Sequence, residues 1–335
     1  MKICILNDTY LESSSPFAQV DSRADPTPYL GGHQVEHIYL MKRTSVAQVE
    51  SLVAQEFDVF INLCDGAPDE DRPGIEVVQA LEEFGVAFTG ADSGFYNPSR
   101  LQMKQACQFA GIPSPGFAFV EQPNTIIAAC RHLKYPLIVK HPNSYGSIGL
   151  SRYSKVRNKN ELVVQAQEMI ARYGGTLVEE FISRKEFSVL VAENPDDPMH
   201  PVTFTPVEVQ FPAGEDFKHF DIKWQEYGAL CIAPCTDAEL ASHLRRLSSA
   251  FFVALNGVSY GRCDLRVDHL GNAFMLEINP NCGLFYPATD PGMADVILFN
   301  DPMGHGGFMD LVLRAAMKRK RINNPKTANG IQFPK

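Results

Sequence analysis

Two short apolar segments near the C-terminus carry charge where an ordinary buried strand would not: Gly261-Arg262-Cys263-Asp264-Leu265 and Phe274-Met275-Leu276-Glu277-Ile278-Asn279. A turn at Asp268–Gly271 separates them, so they read as neighbouring strands over 260–267 and 272–278. Side chains alternate along a strand, which places Glu277 and Asn279 on one face, and Arg262 with Asp264 on one face of the other strand. An unpaired buried charge is costly, so acids inside apolar strands call for something positive opposite them. Two carboxylates and an amide oxygen are hard donors of the kind that hold Mg²⁺, and Arg262 would neutralise a phosphate or a developing oxyanion. A hairpin with solvated polar residues is the plainer alternative.

Further upstream, strands and helices alternate. Strands are expected at 2–7, 34–41, 59–63 and 86–89, with helices at about 45–55 and 74–84, a pattern that implies a parallel sheet. Asn97-Pro98 is expected to open a helix running to about Ala110, stopped by Gly111-Ile112-Pro113. Strands at 117–120 and 137–140 enclose a helix at 124–133, and a helix at about 159–173 precedes a strand at 176–181. Strands at 186–192 and 201–210, a long helix at 236–256 and a last helix at roughly 306–321 complete the pass. The stretch 8–33 is a Ser/Pro/Gly-rich loop with aromatic residues, long enough to suggest a function.

Two more features carry chemistry. Lys140 ends the apolar strand Pro136–Val139 just before the loop 141–149, His-Pro-Asn-Ser-Tyr-Gly-Ser-Ile-Gly. A lysine beside a Gly/Ser loop can hold phosphates by charge while loop N–H groups cradle the oxygens. The nucleotide-binding sequence G-x-x-x-x-G-K-[ST] does not occur, and a strand-end lysine reaching for solvent stays open as an alternative. Val178-Glu179-Glu180-Phe181-Ile182, followed by Glu186, would suit adenine and ribose; surface acids on an edge strand would read the same way.

The whole composition is that of a globular protein of two or three cores: 335 residues, 45% hydrophobic and 21% charged. A formal charge of −9 disfavours a nucleic-acid backbone as the main partner. No apolar run is long enough to span a membrane, and no secretory leader is expected, which points to the cytoplasm. The eight cysteines, without a C-x-x-C pair, are expected as reduced thiols. Lys318–Arg321 reads as the cationic end of the last helix.

Taken in order, lysine and glycine loop, then V-E-E-F-I and a later Glu, then G-R-x-D and L-E-I-N-P-N, these pieces resemble the ATP-grasp superfamily. Gly85–Gly90 and Ala110–Pro113 look like its D-alanine–D-alanine ligase branch, and the resemblance covers about residues 58–320. It implies an α/β fold with an α+β lid: an N-terminal parallel domain (1–97), a linker helix and central lid (98–183), and a C-terminal domain with the Mg²⁺ site (184–322), before a tail (323–335). ATP would lie between the last two domains. The resemblance implies Lys140 on the phosphates, with Arg100 or Lys104 as a second cation. It puts Glu179 near the adenine amino group, backbone contacts from Glu180, Phe181 and Ile182, Glu186 on the ribose, and Phe217 and Leu276 as walls. Lys223 would reach the γ-phosphate or the acyl phosphate and Arg262 the tetrahedral oxyanion, with Ser147 of the loop a further catalytic candidate. Asp264, Glu277 and Asn279 would hold two Mg²⁺. A homodimer is also implied.

The reaction implied is a two-step ligation, a carboxylate activated as an acyl phosphate and then captured by an amine. The sequence departs from the family where D-alanine would bind. The Gly-Gly-x-Ser-x-Glu stretch after the first strand is absent, leaving Glu12; Cys64-Asp65-Gly66 stands for His-Gly; Trp224 replaces a tyrosine; Gly283-Leu284-Phe285-Tyr286 occupies the acceptor segment. Glu12, Asp65, Trp224, Gly283 and Tyr286 are therefore candidate substrate contacts. The expected activity is an amino-acid or dipeptide ligase other than simple D-Ala-D-Ala synthesis. A ligase with a non-amino-acid acceptor, an intramolecular cyclase, a phosphotransferase and a non-catalytic nucleotide-binding protein are the competing readings.

Overall fold

A computed structural model describes residues 1–9, 23–67, 70–143, 149–219, 222 and 230–323, with side chains up to residue 320. Glu12, Ser147, Lys223 and Trp224 lie outside the described residues.

Strands β1 (Lys2–Asp8), β2 (Gln34–Leu40), β3 (Val59–Asn62) and β4 (Phe88–Thr89) form a parallel sheet in the order β2-β1-β3-β4. Helices α1 (Ser45–Val53) and α2 (Ile75–Glu83) cover one face, where Cys4, Leu6, Phe60, Val49 and Leu81 pack. Ile3, Ile5, Val59 and Ile61 pack on the other face into a core shared with the C-terminal part of the chain. Burial on both faces is why these strands read as unbroken apolar runs rather than alternating ones.

Helix α3 (Arg100–Phe109) starts two residues later than the Asn97-Pro98 pair suggested. Ser99 is its cap, accepting from Gln102 N while the Gln102 side chain accepts from Ser99 N, and this reciprocal pair outcompetes the upstream asparagine. An antiparallel sheet follows: β5 (Phe117–Val120), β6 (Leu137–Lys140), β7 (Lys155–Val156) and β8 (Thr176–Glu180), in the order β5-β8-β6-β7. Its helical cover is α4 (Ile126–Ala129) and α5 (Lys159–Tyr173). The helix expected over 124–133 shrinks to α4 behind a 3₁₀ turn, because Cys130 caps it and Leu133 N turns back onto Cys130 O. Helix α5 begins on Asn158, which accepts from Glu161 N, and stops at Gly174 with φ 76°.

The third sheet is antiparallel: β9 (Lys185–Ala192), β10 (Val202–Thr203), β11 (Val207–Gln210), β12 (Cys231–Pro234), β13 (Tyr260–Val267) and β14 (Ala273–Pro280). Their order is β12-β11-β9-β13-β14, with β10 also on β9. The expected strand over 201–210 is two strands, broken at Pro206, which has no N–H to give a ladder. Helix α6 (Ala238–Ala254), with α3, covers one face. Helices α7 (Met293–Phe299) and α8 (Gly304–Asn323) fill the space between the other face and the N-terminal sheet.

The basic run in α8 does more than end a helix: Arg319 pairs with Glu193 and donates to Phe88 O (2.8 Å), and Lys318 donates to Pro195 O. All eight cysteines are free thiols. No described helix is long and apolar enough to cross a membrane.

Candidate active site

One face of the third sheet carries the charged ladder. Along β13, Arg262, Asp264 and Arg266 point to the same side, opposite Leu190, Ser188 and Glu186 of β9. On the other flank Arg262 faces Asn279 and Asp264 faces Glu277, while Leu265 pairs with Met275. Leu276 is the extra residue of a bulge there. Met275, Ile278 and Ala273 thereby stay in the core, and Leu276 and Glu277 are both half-buried.

Asp264 is the centre of this arrangement. Arg262 donates to both its oxygens (Nε to Oδ1 3.0 Å, Nη2 to Oδ2 2.8 Å), Ser188 Oγ to Oδ1 (2.6 Å) and Asn279 Nδ2 to Oδ2 (3.2 Å). Burial alone would raise its pKa, but the Arg262 and Lys218 charges and the bonds from Arg262 and Ser188 hold the carboxyl well below the usual range. Glu277 is likewise lowered: burial works against its charge, and Arg100, 2.8 Å away, outweighs it. Asp264, Glu277 and Asn279 thus present ionised carboxylates and an amide at one spot, the oxygen-rich donor set that suits Mg²⁺, so these residues fit the ion. Arg262 and Arg100 compensate the same charges here.

The second cluster is built from α3, β6 and β8. Lys104 and Lys140 each pair with one oxygen of Glu179, and all three side chains are buried. Burial opposes the Glu179 charge, but the two ammonium groups overcome it and keep the carboxyl far below its ordinary value. Arg100 therefore sits at β14 and Lys104, one turn along, at Glu179. Glu180 turns away, its Oε1 accepting from Lys134 N (2.9 Å). The N–H groups of Glu180 and Phe181 bond Gly116 O and Pro136 O, so neither is free for a base.

Between the two sheets, Phe181 and Phe217 meet edge-on (6.0 Å) in a small apolar cluster with Ile138 and Leu150. Lys155 and Arg266 lie over the Phe181 ring at 3.9 and 4.5 Å. Glu186 is buried beside it, held by Lys218 (2.8 Å) and Arg266 (3.4 Å). An apolar cluster with two aromatic rings, the Glu186 carboxylate and the buried lysines Lys104 and Lys140 are the kinds of group a purine nucleotide requires.

Gly283 and Tyr286 stand together after β14. A Cβ on Gly283 or Gly292 would meet the Tyr286 ring at 2.7 and 2.9 Å, so the ring lies across both glycines. Asp65 belongs to a ring of acids around the buried Arg72: Asp8 (2.7 Å), Asp65 (2.7 Å) and Glu70 (2.8 Å).

The family description "D-ala D-ala ligase C-terminus" matches residues 107–301, more than half of the chain. The D-alanine–D-alanine ligase of Xanthomonas axonopodis pv. citri is 30% identical over 261 residues, 74% of this chain and 73% of that protein. The chain belongs to the D-alanine–D-alanine ligase family. The corresponding enzyme of Hydrogenovibrio crunogenus is 28% identical over 256 residues, covering 75% and 74% of the two chains. The fold agrees with that of the ATP-complexed D-alanine–D-alanine ligase of Bacillus anthracis: TM-score 0.70 at 16% identity, over 96% of this chain and 99% of that one. The VanG D-Ala:D-Ser ligase of Enterococcus faecalis has TM-score 0.68 at 15% identity, over 94% and 99%. This is an ATP-grasp ligase, ATP-dependent and ADP-forming, that makes carbon–nitrogen bonds; its family generally uses ATP with Mg²⁺.

Three residues that contact Asp264 or Glu186 in this ligase were not picked out from sequence: Ser188, Lys218 and Arg266. Arg266 was findable, since it continues the two-residue step of Arg262 and Asp264. Burial lowers the Lys218 pKa, but Glu186 and Asp264 more than reverse that, so it remains a cation between the ribose and metal candidates. Its neighbours in sequence carry no strand or helix periodicity, and nothing in the string separates it from a surface lysine.

Proposed function

We propose that this ligase activates a carboxylic acid as an acyl phosphate and passes it to an amine, with an amino acid or dipeptide rather than two D-alanines as its substrates. The observation that carries the substrate part is Tyr286 lying across Gly283 and Gly292, which puts an aromatic ring where the acceptor segment would otherwise be open. Relatives named for D-alanine–D-alanine ligation support the reaction class.

The nucleotide lies between a lid (98–183) and the C-terminal unit (184–322). Phe181, Phe217 and Leu276 wall the base, Glu186 takes the ribose, and Lys140 with Lys104 faces the phosphates. Each oxygen of Glu179 is paired with one of those lysines and keeps a second lone pair that can accept from the adenine amino group. Asp264, Glu277 and Asn279 would hold the metal ions, and Arg100, paired with Glu277 here, would offer its guanidinium to a phosphate. Two Mg²⁺ ions bound there would supply charge neutralisation for phosphoryl transfer. Arg262 keeps one edge of its guanidinium on Asp264 and turns the other to the oxyanion formed when the amine attacks the acyl carbon. Lys223 and Ser147 complete the assignment from the family resemblance.

The test is ADP and phosphate release with Mg²⁺-ATP against L- and D-amino acids and small carboxylic acids, singly and in pairs. Release that needs an unlike pair containing a side chain larger than methyl is the expected result. Release with D-alanine alone at the highest efficiency would overturn the substrate assignment and leave the reaction class standing.

A further inference from the structure

The stretch 283–292, which carries Gly283 and Tyr286 directly after the metal strand, takes its shape from one carboxylate. Asp295, fully buried in the first turn of α7, accepts from Phe285 N (2.7 Å), Tyr286 N (3.2 Å) and Gly292 N (3.0 Å). Its Oδ1 also takes His305 Nε2 of α8 at 2.9 Å. Three main-chain donors from both ends of the loop and one side-chain donor thus converge on two oxygens. Only an ionised carboxylate is acceptor at both oxygens; an asparagine would turn an N–H₂ toward one set of N–H groups. His305 is fixed in turn, stacked on Tyr29 (4.8 Å, 14°) and packed against Phe299 (4.7 Å). Asp25 N donates to Phe285 O (2.8 Å), so the loop is also tied to the segment that precedes β2. Neither Asp295 nor His305 is among the residues assigned to nucleotide, metal or substrate.

We propose that Asp295, held by His305, is the positioning residue of the nucleophile site, fixing Gly283 and Tyr286 against the Arg262–Asp264–Glu277 cluster. This rests on the reading of 283–292 as the loop that receives the amine. A merely structural carboxylate would change stability and leave the kinetic constants alone. A positioning one changes the KM for the nucleophile and spares the KM for ATP, because β14 and the lid keep their own support.

The experiment compares Asp295→Asn, His305→Leu, His305→Gln and Tyr286→Ala. Steady-state ADP release is measured with the most active pair from the matrix above, beginning with D-alanine, alongside amide hydrogen exchange over 283–292 and 260–280. Asp295→Asn and His305→Leu are expected to raise the nucleophile KM about 10-fold, with the ATP KM within about two-fold of wild type. Exchange should quicken at 285, 286 and 292 and stay unchanged over 260–280. His305→Gln, whose amide N–H₂ can replace Nε2, should restore both readouts, and the histidine pair decides the matter even if Asp295→Asn does not fold. Faster exchange with an unchanged nucleophile KM, or a His305→Gln no better than His305→Leu, overturns the proposal. If Tyr286→Ala raises the nucleophile KM and the Asp295 and His305 variants do not, only the positioning role falls. If Tyr286→Ala also leaves that KM unchanged, the assignment of the loop to the amine falls, and the positioning role with it.

Discussion

Glu179 shows how far a single side chain can be pushed. Two buried lysines share its carboxylate, and removing one member of such a group leaves uncompensated charge costing about 3–5 kcal/mol. Glu179→Gln is therefore expected to unfold at markedly lower urea concentration at neutral pH. Because the folded carboxyl is held below its ordinary value of 4.5, its contribution is complete above that value. It is lost as the pH falls from 4.5 toward the folded value, so the gap between wild type and Glu179→Gln should close on acidification. A gap that is constant from neutral pH to pH 3 would mean the lysines do not sense the carboxylate. On β14, Glu277→Gln keeps shape and removes one charge of the proposed metal site. ADP release should fall about 100-fold, with a higher Mg²⁺ requirement, as is usual when a preorganised electrostatic group is lost; a wild-type Mg²⁺ titration would remove Glu277 from the metal site. These residues were legible because an acid inside an apolar strand has few structural explanations. Lys218 was not, since its partners Glu186 and Asp264 come from elements distant in sequence, and Asp295 was not, since its main partners are main-chain N–H groups that carry no side-chain signature.

At the scale of elements, the strand pair β13–β14 was readable in place and in facing, including the shared side of Glu277 and Asn279. The bulge at Leu276 was not: an extra residue in one strand leaves no mark in an apolar run and is set by pairing with β13. Parity explains what it does, because Met275 and Ile278 both face the core although three positions apart. Leu276 is half-buried at the site rather than locked in that core. Leu276→Ala should thus weaken ATP binding several-fold, equivalent to about 1 kcal/mol of lost apolar contact, with little change in thermal midpoint. Equal ATP affinity by calorimetry would take Leu276 out of the base wall. Where local signals competed, the nearer bond decided: the Ser99–Gln102 pair set the start of α3, and Pro206 divided a run that looked continuous. Helix α7 was missed because its start is organised by Asp295 and the preceding loop, not by a standard cap sequence.

Across the whole molecule, the nucleotide reading makes the sheets depend on one another. Lys140 and Glu179 come from the second sheet, Lys104 and Arg100 from the helix before it, and Glu186, Asp264 and Glu277 from the third sheet. Besides the apolar packing of α3 on the third sheet and of Phe181 on Phe217, charge pairs join these parts at the site: Arg100 to Glu277 and Lys104 to Glu179. A ligand that takes over those cations bridges the same elements and adds its own binding free energy to folding. At a concentration 100 times its dissociation constant, that addition is about 2.7 kcal/mol. Mg²⁺-ATP should therefore raise the thermal midpoint by several degrees, read by intrinsic fluorescence or calorimetry. The magnesium-dependent part of the rise should vanish with EDTA. In Glu277→Gln it should be reduced, while the shift given by ATP alone is retained, because the lysine cluster is intact in that variant. A full Mg²⁺-dependent shift in Glu277→Gln would place the ion away from β14, and the absence of any shift with ATP in the wild type would mean that the two sheets do not close on a nucleotide at all.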